Sequence, residues 1–190
     1  MRIRDKIKKP QRPVVAYEIL PPREKDGTLN SYAETISSLL SQTHIDAINI
    51  PEVLDEAGRG DRPIANYKRG EPREFGRLLQ DIVGIEAIVN RVVVHDDYDT
   101  QMKWLEETNL VYEIENMIIV GGESSNVEYP GPTVNQALEA ISNTYNKGGK
   151  DIFCGGIAIP SRKEESKNLI KKSKSGSEFF TTQVLYDSKN

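Results

Sequence analysis

The sequence predicts a parallel α/β fold of the TIM (β/α)8-barrel type, with about six of the eight β/α units present in 190 residues. Three observations predict it. Short runs rich in Val and Ile recur along the chain, and their near-continuous apolarity suits strands covered on both faces. Each run is followed by a segment with helical spacing, and such alternation means a parallel sheet, doubly wound or closed. Polar residues stand in or at the ends of several strands, which leans the choice toward a barrel, whose sites are built at many strand ends; a doubly wound sheet would gather them at one crevice.

The strand runs are VVAYEIL (14–20), DAINI (46–50), IEAIVNRVVV (85–94), NMIIVGG (116–122), DIFCGGIAI (151–159) and FFTTQVLY (179–186). Between them, Ser31–Gln42 places Tyr32, Ile36, Leu39 and Leu40 on one helical face, and Arg73–Ile82 does the same with Phe75, Leu78, Leu79 and Ile82. Tyr98–Asn109 is a third helix, Val134–Asn146 a fourth, entered through PGPT, and the basic segment Lys163–Lys174 a fifth. The segment Pro51–Pro72 reads as a long charged loop of the kind that covers sites. Residues 1–190 read as a single domain, C-terminally incomplete if the barrel is to close, its last strands absent or supplied from elsewhere.

Apolar residues are 37% and charged residues 28% of the chain, as in a globular protein. A formal charge of −4 argues against nucleic acid as a partner. The one cysteine, Cys154, excludes an internal disulfide, reads as a small buried filler and fits a reducing, cytoplasmic setting. The basic N-terminus lacks the apolar region of a secretory signal, and no run approaches a membrane span. His44 and His95 stand at unrelated positions, so no metal site is expected.

Three short stretches carry candidate chemistry. In VVAYEILPPR, Glu18 lies among Val14, Val15, Ile19 and Leu20, a setting that implies desolvation and a raised carboxyl pKa suited to a general acid. The plainer alternative is a strand-end glutamate paired with Arg23. In IIVGGESS, Gly121 and Gly122 follow a strand and Glu123 stands beside them, either a ligand approach or a simple turn. In FFTTQVLYD, Thr182 and Gln183 can hydrogen-bond a ligand or merely finish a strand.

Taken in order, these stretches are similar to methylenetetrahydrofolate reductases, flavoprotein barrels that reduce 5,10-methylene-tetrahydrofolate to 5-methyl-tetrahydrofolate. YEILPPR resembles the family's FEFFPP signature, IVGGE occupies the place of its fourth-strand LRGD, and the segment from Gly176 through FFTTQVLYD resembles AG-x-x-FITQ-x-x-FD. The resemblance implies Glu18 as the acid that opens the methylene bridge, Glu123 as the carboxylate tuning flavin and pterin, and Gln183, with Thr182 before it, as a folate contact. It implies FAD as cofactor and NAD(P)H as hydride source, in one-carbon and methionine metabolism. Cofactor positions fall on Asn49 and Asn90, where the family has threonine and histidine, on Gly121 and Gly122, and on Glu165 and Lys172. In the fifth-strand segment AIPSRKEE, Ile159 replaces the tyrosine that packs by the flavin, and Arg162 is a substitute phosphate contact. These departures leave flavin retention open. The same residues admit a folate- or pterin-binding module without redox activity, working inside a complex, and an inactive truncated homologue; the resemblance also implies a homo-oligomer.

Overall fold

A computed structural model describes residues 1–53, 68–122, 128–149 and 151–185. The elements in chain order are α1 (Ile3–Lys8), β1 (Ala16–Glu18), α2 (Leu29–Leu40), β2 (Ala47–Ile50), α3 (Pro72–Val83), β3 (Ala87–Val92), α4 (Tyr98–Leu110), β4 (Asn116–Val120), α5 (Val134–Ala140), β5 (Phe153–Ala158), α6 (Glu165–Lys174) and β6 (Phe179–Thr182). A 3₁₀ turn covers Glu24–Asp26, and a π-helical stretch over Ile141–Asn146 continues α5. The chain divides into two compact units, Met1–Val89 and Asn90–Asn190, with the boundary inside β3.

Strand order is the sequence order, β1-β2-β3-β4-β5-β6. All the pairings β1·β2, β2·β3, β4·β5 and β5·β6 are parallel. A doubly wound sheet reverses its order at a switch point, whereas here every strand lies beside its predecessor, as in a (β/α) barrel.

In the first unit, local chemistry sets the helix ends. Thr28 caps α2 by accepting from the Ser31 amide, and Glu71 caps α3 ahead of Pro72, whose missing N–H costs nothing at a helix start. Gly84 ends α3 in the left-handed region at φ 72°, which favours glycine. The apolar faces of both helices close over Ile48 and Ile50 with Phe75 and Leu79, and Tyr32 packs on Phe75 at a ring separation of 5.8 Å. One expectation fails here. β1 is three residues long and all three are exposed, because it is the first edge of the sheet; of the run 14–20 only Ile19 is buried.

The second unit buries Met117, Ile118 and Ile119 of β4, Phe153 and Cys154 of β5, and Leu138 of α5. Thr133 and Gln136 form a reciprocal capping box at the start of α5. Phe179 of β6 stacks on Phe153 at 4.7 Å and lies against Gly155, where a Cβ would fall 2.5 Å from its ring. Arg91 is buried yet satisfied: its Nε donates to Gln101 at 2.9 Å, its Nη2 to Asp96 at 2.6 Å, and its guanidinium covers the Trp104 ring. Among the described residues no helix is long and apolar enough to cross a membrane.

Candidate functional site

In the first unit the site begins where β1 stops. Pro21 and Pro22 cannot donate to a ladder, so the strand ends at Glu18 and the chain turns away. The two prolines are buried, and their carbonyls accept from Arg69 Nη1 and the Gly70 amide, both at 2.9 Å. That anchoring leaves Glu18 at the C-terminal end of β1, directly across from Asn49 of β2 in the parallel register. Asn49 Nδ2 donates to Glu18 Oε2 at 2.9 Å. Asn49 Oδ1 is buried and has no hydrogen-bond partner among the described residues.

The environment of Glu18 differs from the desolvated one that its apolar neighbours imply. The side chain is exposed, because the flanking Val15 and Tyr17 are themselves 45% and 48% exposed on an edge strand. The alternative pairing is not formed either: Arg23 forks onto Asp26, with contacts of 2.7 and 2.9 Å inside the 3₁₀ turn. Glu18 is therefore a carboxylate at a strand rim, oriented by an amide.

The second unit contains the remaining positions. Asn90 is buried on β3, and its Oδ1 also lacks a partner among the described residues. Gly121 and Gly122 follow β4, but the space beside Gly122 is filled from within: a Cβ there would meet the Tyr129 ring at 2.2 Å. Tyr129 in turn meets His95 edge-on, with ring centroids 5.3 Å apart. The glycine is required for this internal contact, which the sequence reading did not anticipate. Glu123 lies outside the described residues, as do residues 54–67 of the expected site-covering loop.

At the end of β5, Glu165 is a buried clasp. Its Oε1 accepts from the Ile159 amide at 3.0 Å, and its Oε2 accepts from Asn168 at 3.2 Å and faces Arg162 at 3.5 Å. Burial raises its pKa, but the Ile159 amide, Asn168, Lys172 and Arg162 outweigh it, so the carboxyl is held below its ordinary value. Lys172 donates to the Ile157 carbonyl and stands 3.9 Å from the same carboxylate. Desolvation lowers the Lys172 pKa by more than Glu165 restores.

These contacts bear on the flavin that the family resemblance implies. Lys172 and Glu165 are spent on tying α6 to β5, and the gap at Gly122 is occupied by Tyr129. Arg162 is 46% exposed in its side chain, and its guanidinium stands 3.5 Å from the Glu165 carboxylate. Among the described residues, Lys172, Glu165 and Gly122 are therefore not placed to hold a flavin phosphate in the implied way. Thr182 ends β6 opposite Ala158, and Gln183 follows it beyond the strand; both are exposed. The strand is thus shorter than the run 179–186, and Phe179 serves as core filling.

Fold and rim together define a parallel α/β protein of the barrel type with polar groups at its strand ends. No family model and no curated protein matches the chain. Among solved structures it is similar to an uncharacterized protein from Clostridium thermocellum that binds two copies of 5-methyl-5,6,7,8-tetrahydrofolic acid, with TM-score 0.72 and 18% identity over 98% of this chain and 60% of that one. It is also similar to 2,3-dimethylmalate lyase, of the PEP mutase/isocitrate lyase superfamily (TM-score 0.58, 13% identity, 95% of this chain and 62% of that one). The N-acetylneuraminate lyase of Mycoplasma synoviae resembles it at TM-score 0.53 and 11% identity, over 92% and 55% of the two chains. At these identities the likeness establishes the fold, and the chain spans about 60% of the length of these three proteins.

Proposed function

We propose that this chain binds a reduced folate, with Glu18 and Asn49 as contacts for the pterin ring. The observation that carries the reading is the Asn49 side chain, whose amide nitrogen is used by Glu18 while its buried oxygen has no partner among the described residues. A buried polar atom without a partner costs about 1–3 kcal/mol, so such an atom at a strand rim marks a place where a ligand donor is missing. An aminopyrimidinone ring supplies N–H donors on one edge: one completes Asn49 Oδ1, and another bonds the Glu18 carboxylate as a charge-assisted pair. The similarity to a solved protein that binds 5-methyl-5,6,7,8-tetrahydrofolic acid and the YEILPPR motif support the choice of ligand.

Calorimetric titration with 5-methyl-tetrahydrofolate tests it. Saturable binding that weakens in Asn49→Ala is the expected result. A chain with packed aromatic side chains by near-UV circular dichroism that does not bind overturns the reading.

Flavin-dependent reduction of 5,10-methylene-tetrahydrofolate with NAD(P)H is the second reading. It is favoured by the resemblance of YEILPPR to the reductases' first-strand motif, and it requires FAD to be held by groups other than Lys172 and Gly122. Flavin fluorescence decides it: quenching by the chain, followed by bleaching with NAD(P)H, moves the protein into the reductase class.

A further inference from the structure

We propose that the first unit carries a separate site for a small polyanion, at the end of β2 opposite Asn49. A cleft of about 390 Å³ opens there, between the N-terminal segment and the start of β2, with Lys6, Lys9, Gln11, Arg12, Val14 and Asp46 in its lining. This volume lies in the range of small-molecule sites.

Asp46 organises the cleft and exhausts its own acceptor capacity in doing so. Its side chain is 2% exposed. Arg12 Nη1 and Nη2 donate to it at 2.9 and 2.8 Å, the Val15 amide at 2.9 Å, and Lys6 Nζ stands 3.1 Å away. Three lining cations thus face one carboxylate, which leaves a surplus of two positive charges in a chain whose net charge is −4. The spare donors are on the cations. Arg12 gives one further N–H to the Pro13 carbonyl at 3.0 Å and retains its Nε–H and one Nη2 hydrogen. Lys6 uses one of three ammonium hydrogens on Asp46, and the Lys9 ammonium makes no hydrogen bond or ion pair among the described residues.

A concave surface with surplus charge of one sign concentrates counter-ions, and a guanidinium beside ammonium groups matches the oxygens of phosphate or paired carboxylates. Asp46 pre-orients the Arg12 fork, so an incoming oxyanion meets donors already fixed in place. The ligand class is a compact molecule carrying two or more negative charges.

The test is calorimetric titration of the full chain with pyrophosphate and, separately, citrate, at about 0.15 M salt, where unspecific surface attraction is largely screened. Saturable binding of either probe is expected, with the preferred probe naming phosphate or carboxylate chemistry. Lys9→Glu is expected to weaken it by about tenfold or more, as loss of a charge-assisted contact does. Among the described residues the Lys9 side chain has no partner, so this variant is expected to keep its near-UV circular dichroism. Absence of saturable binding by the folded wild type, or equal binding by Lys9→Glu, overturns the proposal. Neither probe contains a pterin, so the result stands apart from the folate reading.

Discussion

Asn49 Nδ2 and Glu18 Oε2 are joined at 2.9 Å across the C-terminal ends of the first two strands. The bond fixes the amide so that its donor faces Glu18 and its acceptor is left over. Asn49→Ala removes both the orienting donor and the unpaired acceptor. Affinity for 5-methyl-tetrahydrofolate is expected to fall about tenfold, the worth of one ligand hydrogen bond, with little change in melting temperature. Glu18→Gln is expected to weaken binding at least as much, because a charged acceptor is lost. Calorimetry on the two variants checks this, and unchanged affinity in both removes the pair from the site.

The contact of Gly155 with Phe179 predicts a stability effect remote from Glu18. A methyl at Gly155 lands 2.5 Å from the ring of Phe179, itself stacked on Phe153 at 4.7 Å. Gly155→Ala is expected to destabilise by about 1–3 kcal/mol through overpacking. Phe179→Leu makes room at its own cost, so the double variant is expected to be more stable than the sum of the single changes predicts. Urea denaturation of the four proteins gives the coupling directly.

Much of the fold was legible because its signals are local and periodic. The run 85–94 contains β3 at 87–92, and the apolar spacing of 73–82 gives α3 at 72–83. What was not legible depends on tertiary partners. Six residues of α1 are too few to show a helical pattern, and they are held by long-range contacts: the Ile3 amide donates to Glu86, and Lys6 meets Asp46. The apolar letters around Glu18 read as burial, but burial depends on what covers a strand, and β1 is an edge. The family resemblance likewise marked Lys172 and Glu165 as ligand positions, since a sequence does not show that the Ile157 carbonyl and the Ile159 amide already take them. The partners of Asn49 were legible only as residue types; their pairing needed the register of β1 on β2.

The Lys172 contacts predict that its loss is felt as instability first. Lys172→Met takes one of the two cations, Lys172 and Arg162, from beside the buried Glu165, and Glu165→Gln leaves an ammonium facing a carbonyl without this counter-charge. Each is expected to cost about 2–3 kcal/mol, since removing one member of a buried ion pair strands the other. The double variant is expected to recover part of the loss. Thermal denaturation checks the cycle, and strict additivity shows that the two groups do not act together.

Asp46 predicts a pH dependence of stability with a definite sign. The Val15 amide, the Arg12 guanidinium and Lys6 hold its carboxyl well below the ordinary value near 3.8, against the opposing effect of burial. The folded-state value is thus depressed, so the carboxylate's stabilisation is complete above about pH 4–5 and is lost progressively as pH falls toward the lower folded value. Asp46→Asn cannot ionise and loses the charge-assisted bonds, so at pH 7 it is expected to be less stable than wild type by about 2 kcal/mol. Measured by urea denaturation from pH 7 to pH 3, the gap is expected to hold to about pH 5 and to narrow below about pH 4 as the wild type gives up what the variant never had. Arg12→Gln removes one of the three groups holding the carboxylate and so raises its folded-state value; the acid loss is expected to begin in the same range, near the unfolded value, but to be smaller and to end at higher pH. A gap that stays constant down to pH 3 shows instead that the Asp46 pairing contributes through shape and not through charge.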